Sequence, residues 1–177
     1  MKKLKNSELN RISIEEFKKS KKIPITILLE NIRSAHNIGS VFRTADSFLI
    51  NEIILCGISA QPPNKDIRKT ALGSSESVEW SYEKDISKAI QKLKNKGNKI
   101  ISIEQTTNSI SLENFKPSNN GKYAIIFGNE VNGVEQSTID LSDMAIEIPQ
   151  YGTKHSLNIS VAAGIIIWDI FSKINRL

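Results

Sequence analysis

Short apolar runs at residues 24–29, 52–56, 99–103, 123–127 and 144–148 alternate along the chain with segments whose apolar residues recur at helical spacing. Runs of this length, rich in Ile and Leu, predict strands buried on both faces. Residues 38–49 place Ile38, Val41, Phe42, Ala45, Phe48 and Leu49 on one side of a helix. Residues 85–96 repeat the pattern with Ile86, Ala89, Ile90 and Leu93 inward, lysines outward and Gly97 as the stop. Shorter helices are predicted over 7–20, where Ser13 and Glu16 make a capping pattern, around 67–72 beyond the Pro62-Pro63-Asn64 break, and around 133–139. Residues 105–121, with Pro117 and Asn119-Asn120-Gly121, read as loop. Strands alternating with helices predict an α/β fold with a mainly parallel sheet flanked by helices. No repeat or linker interrupts it, so residues 1–177 are expected to form one domain, with 1–22 as its N-terminal arm and short helix.

The stretch from Ile146 to Ser160 organises the C-terminal part. An apolar strand ends at Pro149, a polar loop carries Gly152, and Ser156-Leu157-Asn158 opens a helix running from 159 to about 174. A loop between a strand end and a helix start offers unpaired backbone N–H groups and a crevice of ligand size. The helix is apolar almost all round, with Ile165, Ile166, Ile167, Trp168, Ile170 and Phe171. One apolar stripe suffices to cover a sheet. An all-round one implies burial on two sides, either in a homodimer interface, the simpler explanation, or threaded through its own domain.

The net charge of +5 lies wholly in residues 1–22, which hold eight Lys/Arg and three Asp/Glu; the remainder holds sixteen of each sign. A basic arm on a neutral body suits a polyanion such as nucleic acid, and equally a frayed, solubilising terminus. The lone Cys56 excludes an internal disulfide and a cysteine-rich zinc site. No apolar run follows Met1-Lys-Lys and none approaches the length of a membrane span, so a soluble cytoplasmic protein is expected.

Several chemistries fall away. Gly128-Asn-Glu-Val-Asn-Gly133 has the glycine spacing of a phosphate loop, but Val134-Glu135 replace the required Lys-Ser/Thr. No G-x-G-x-x-G follows the first strand. His36 and His155, the only histidines, have no neighbours at metal-ligand spacing, and Thr153-Lys-His-Ser-Leu157 is no esterase elbow. Asn37 is read as the cap of a helix beginning at Ile38, with Gly39 leaving the first turn open and Arg43 projecting beside Ser40. A helix N-terminus with an arginine beside it forms a phosphate site; Arg43 could otherwise sit in a surface salt bridge. The glycine loops after Phe127 and Pro149 carry few charges and suit a ligand held by backbone and apolar contacts. Glu130 is either an exposed carboxylate or an acceptor for a cationic or hydroxyl-bearing group.

Three blocks in this order carry a family resemblance: Asn37-x-Gly39-Ser-x-x-Arg43-Thr-Ala45, Phe127-Gly-Asn-Glu130-x-x-Gly133-Val, and Ile148-Pro-x-x-Gly152-x-x-x-Ser156-Leu-Asn158-Ile-Ser160. Together, over residues 24–172, they resemble the signature blocks of the SpoU/TrmH-like RNA 2′-O-ribose methyltransferases of the SPOUT class. The resemblance implies a C-terminal trefoil knot, an obligate homodimer and S-adenosylmethionine (AdoMet) bound in the knot. Carried over motif by motif, Gly128, Ile148 and Leu157 line the cofactor pocket, Arg43 is catalytic, and Asn37, Glu130, Ser156 and Asn158 shape the site. Arg43 acts either as the base, helped by an RNA phosphate, or as a clamp on that phosphate that stabilises the developing alkoxide. The implied activity needs no metal: methylation of a ribose 2′-hydroxyl in structured RNA, tRNA before rRNA. RNA contact is expected from the arm, the dimer surface and the loop around Pro62 to Lys69. The alternative of another class is an RNA-binding protein that keeps the knot without the chemistry.

Overall fold

The computed structural model describes residues 1–118 and 120–175. Asn119, counted above in the 105–121 loop, lies outside them. The elements in chain order are α1 (Ile14–Lys19), β1 (Ile23–Glu30), α2 (Ala35–Ser47), β2 (Ile50–Cys56), α3 (Lys65–Ala71), α4 (Ser74–Ser77) and β3 (Trp80–Glu83). They continue with α5 (Ile86–Asn95), β4 (Asn98–Ile103), β5 (Ile110–Ser111), β6 (Lys122–Phe127), α6 (Gln136–Asp140), β7 (Met144–Glu147) and α7 (Ile159–Asn175). Single 3-10 turns cover Asn6–Glu8 and Leu112–Asn114.

The seven strands form one sheet in the order β3-β2-β1-β6-β4-β7-β5, and every pairing is parallel. The five strands foreseen from apolar runs are all present. The two others sit at the edges. β3 is short and largely exposed and β5 is two residues long, so neither needs the continuous apolar run of a central strand.

Alternate strand residues face opposite layers. On one face Ile25, Ile27 and Leu29 of β1 pack with Ile53 and Leu55 of β2 under α2, α3, α7 and Phe17 of α1. On the other, Leu28, Ile54, Ile100, Ala124 and Ile126 pack against Ala89, Ile90 and Leu93 of α5 and Val134 before α6. Ser13 caps α1 through the expected box with Glu16, but the helix is a single short piece preceded by a 3-10 turn, not one helix over 7–20.

α2 begins earlier than expected. Ser34 is its cap, accepting the Asn37 N–H at 3.3 Å, so Asn37 lies inside the first turn. Gly39 is buried under α3: a Cβ there would lie 2.1 Å from Thr70 Oγ1 and 2.4 Å from Ile67 O. The glycine therefore admits a neighbouring helix, not a ligand. Arg43 stands about 12 Å beyond the first residue of α2 at 1.5 Å per residue. Arg43 therefore sits beyond the second turn of α2 and not beside its first.

α7 buries Ala163, Ile166, Ile167 and Ile170 completely, while Val161 (51%), Ile165 (37%) and Trp168 (52%) stay exposed along its outer side. Its apolar character is all round, but only one side is covered by its own chain.

Candidate active site

β6, β4 and β7 are neighbours in the sheet, and the segments that follow them meet beyond their C-terminal ends. They enclose a cavity of about 440 Å³ lined by residues 103–105 after β4, 127–133 after β6, and Glu147, Ile148 and Gln150 at the end of β7. Residues 155–159 and Ala162, entering α7, complete the wall. The place is where parallel α/β sheets hold ligands, and the volume is in the range of small-molecule sites.

The loop after β6 is folded back tightly. Asn129 and Gly133 exchange N–H···O bonds of 3.1 and 3.0 Å, and Asn129 Oδ1 accepts the N–H groups of Val131 and Asn132 at 2.9 Å. A Cβ on Gly128 would lie 1.9 Å from Gly133 C and 2.1 Å from Val134 N, so the fold-back requires glycine at 128. Two carboxylates hold the loop from the strands on either side of β6. Glu104, after β4, accepts the Val134 N–H at 3.0 Å; Glu30, at the end of β1, accepts the Glu135 N–H at 3.1 Å and the Thr138 hydroxyl at 2.6 Å. Glu30 is 3% exposed, and burial pushes its carboxyl pKa up, opposed by those hydrogen bonds. The Cys56 thiol beside it is pushed up to about 12, by burial first and by the Glu30 charge second. Cys56 is thus an inert core thiol.

The α7 end is tied in as well. Asn158 caps α7 through Oδ1, which accepts the Ser160 N–H at 2.9 Å. Its amide nitrogen donates to Asn37 Oδ1 at 3.2 Å, and the Asn37 amide donates to Glu130 Oε1 at 2.9 Å. This chain couples α2, the loop after β6 and the start of α7. The Gln105 amide donates to the His155 carbonyl at 2.9 Å, joining the loop after β4 to the same segment.

Six of the eight residues singled out from the motifs line the cavity: Gly128, Glu130, Ile148, Ser156, Leu157 and Asn158. Asn37 does not line it but bonds two that do. Arg43 is exposed, outside the lining, and its guanidinium has no hydrogen-bond or ion-pair partner among the described residues. Ser156 and Asn158 lead into α7, which starts at Ile159 as the sequence places it. Glu104, Gln105 and Glu30 were missed. All three stand at strand C-terminal ends, the position that parallel sheets reserve for sites, and that rule could have found them.

Residues 24–168 match the model of the SpoU rRNA Methylase family. A Borreliella burgdorferi protein described as an uncharacterized tRNA/rRNA methyltransferase is 34% identical over 167 residues, covering 93% of this chain and 70% of that one. A tRNA (guanosine(18)-2′-O)-methyltransferase of Thermus thermophilus is 30% identical, over 92% of this chain and 82% of its own. A 23S rRNA (guanosine-2′-O-)-methyltransferase of Neisseria meningitidis is 29% identical over 81% of this chain, which spans 56% of that protein. Among solved structures, the A. aeolicus TrmH/SpoU tRNA modifying enzyme superposes with a TM-score of 0.80 at 24% identity, over 92% of this chain and 81% of its own. The methyltransferase AviRb of Streptomyces viridochromogenes, solved with AdoMet, superposes with a TM-score of 0.81 at 18% identity, over 92% and 65%. The chain belongs to the SpoU family of AdoMet-dependent RNA 2′-O-ribose methyltransferases.

Proposed function

We propose that this protein transfers a methyl group from AdoMet to a ribose 2′-hydroxyl of structured RNA, with tRNA as first substrate and rRNA as second. The observation that carries the proposal is the cavity where the second and third motif blocks converge, joined to the first through Asn37. AdoMet fits the donor set: the wall combines Gly128, Ile148 and Leu157 with carboxylates and backbone, and among the described residues contains no Lys or Arg suited to a phosphate. Gly128, Ile148 and Leu157 hold the cofactor against the loops. Bound there, it supplies a methyl on a sulfonium.

The chain's own residues then position the acceptor. Held by Asn37, which Asn158 holds in turn, Glu130 stands at the cavity wall, where it orients the incoming ribose, and Ser156 adds a hydroxyl to the same wall. In-line placement of the 2′-oxygen accounts for much of the rate, since orientation replaces a bimolecular encounter. Arg43, free of internal partners, holds the RNA phosphate and stabilises the alkoxide as its proton leaves. A guanidinium stays protonated in ordinary surroundings, which favours the clamp over the base.

The arm 1–22, exposed over residues 1–16, and the Pro62 to Lys69 segment extend the RNA contact. The threading of the segment after β7 as a trefoil knot, pairing through α7, a single domain over 1–177 and a cytoplasmic setting complete the proposal; support for knot and pairing comes from the family and the outer face of α7. No helix among the described residues is long and apolar enough to cross a membrane.

The test is transfer of labelled methyl from AdoMet into unmodified tRNA and rRNA pools, followed by nuclease mapping. A 2′-O-methyl product on tRNA is expected. Product on rRNA alone reverses the substrate order, and incorporation into a base rejects the proposed chemistry.

A further inference from the structure

Among the described residues, three Asp, Glu, Lys or Arg side chains line the cavity, and all are carboxylates: Glu104, Glu130 and Glu147. The chain as a whole carries +5, so this wall is opposite in sign to the molecule. Glu104 is held most firmly. Its Oε2 accepts the Val134 N–H at 3.0 Å and its Oε1 accepts the Gln105 N–H at 2.9 Å. Gly133, at φ +67°, leaves the space it occupies: a Cβ there would lie 2.0 Å from Oε2. Two backbone donors fix the carboxylate without neutralising it, and each oxygen keeps lone-pair capacity. No cation pairs with it among the described residues.

We propose that Glu104 is a specificity-determining residue of the cofactor site, its fixed negative charge favouring the sulfonium cofactor over the uncharged thioether product. The inference rests on the AdoMet assignment above. In the transfer the S–CH3 bond breaks as the O–CH3 bond forms, the bonding pair stays on sulfur, and the 2′-hydroxyl proton leaves to solvent. Sulfur passes from cation to neutral thioether, so attraction to Glu104 falls when the product forms. Spent cofactor is then released in favour of fresh.

Glu104→Gln is close to isosteric: its amide oxygen still accepts the Val134 N–H, and only the bond from the Gln105 N–H is lost, because an amide nitrogen cannot accept it. The measurement is calorimetric titration of the full chain and of this variant with AdoMet and with S-adenosylhomocysteine, without RNA. The wild type is expected to prefer AdoMet. The variant is expected to lose about tenfold in AdoMet affinity, the scale of one partly screened charge pair, while S-adenosylhomocysteine binding stays within about twofold. Unchanged thioether binding is also the proof that the variant pocket is formed. Glu104→Asp, which keeps the charge, is expected to retain part of the preference. Equal weakening of both ligands, or weakening of neither, overturns the role of Glu104 while leaving the cofactor assignment intact. A wild type that binds neither ligand overturns both.

Discussion

Gly128 and Arg43 belong to the same proposed site but are constrained in opposite ways. The Cβ of an alanine at 128 would meet backbone atoms of Gly133 and Val134 near 2 Å, and backbone cannot give way as a side-chain tip can. Gly128→Ala is therefore expected to push residues 129–134 outward, lower the melting temperature and weaken AdoMet binding at least about tenfold, a fold-change equal to ~1.4 kcal/mol. Wild-type affinity in that variant would reject the loop as a cofactor wall. Arg43 is exposed and unpaired among the described residues. Its loss is expected to change stability by no more than about 0.5 kcal/mol, as for other surface substitutions. Turnover of Arg43→Ala should nevertheless fall about 10²-fold or more, the scale of removing one group that stabilises developing charge. AdoMet affinity should stay at the wild-type value, and equal loss of cofactor binding would disprove the assigned role.

Elements were legible where burial wrote a pattern. Central strands and the amphipathic helices α2 and α5 announce themselves by runs and spacing, and all are present, α2 starting at Ala35 rather than Ile38. β3 and β5 were not legible, because a short edge strand needs no apolar run. The start of α2 was misplaced because Ser34 and Asn37 are both good caps; Ser34 takes that role, and the Asn37 side chain bonds Glu130 and Asn158 instead. The motif loops marked the cavity, whereas Glu30 and Glu104, which hold the loop after β6, belong to no motif and are marked only by their place at strand C-terminal ends. Glu30 makes its case through pH. Its pKa is raised by burial, so the folded state holds the proton more tightly than the unfolded chain. That contribution is fully present below the unfolded carboxylate pKa and is lost as pH rises through the higher folded value. Glu30→Gln keeps an acceptor for Glu135 N–H and a partner for Thr138 without carrying charge. It is expected to melt above the wild type at pH 8 and to lose that advantage at pH 4. A difference that does not vary with pH would show that Glu30 is not the titrating group.

At the scale of the molecule, the unfinished surface is α7. Val161, Ile165 and Trp168 recur at helical spacing on its outer side, and Gly164 beside them leaves that side flat. Trp168 is braced from within by Phe48 at 5.7 Å and Phe171 at 6.2 Å between ring centroids, so it is held ready rather than loose. Contiguous apolar surface of this kind marks an interaction site. A second copy of the same helix offers a matching face, because a two-fold interface sets one patch against itself. The wild type is expected to run as a dimer in light scattering at micromolar concentration. Trp168→Glu would place a carboxylate in the centre of that contact and is expected to give monomers, whereas Trp168→Phe should stay dimeric. If Trp168→Glu remains a folded dimer, pairing runs through another surface and the outer side of α7 becomes available to a different partner.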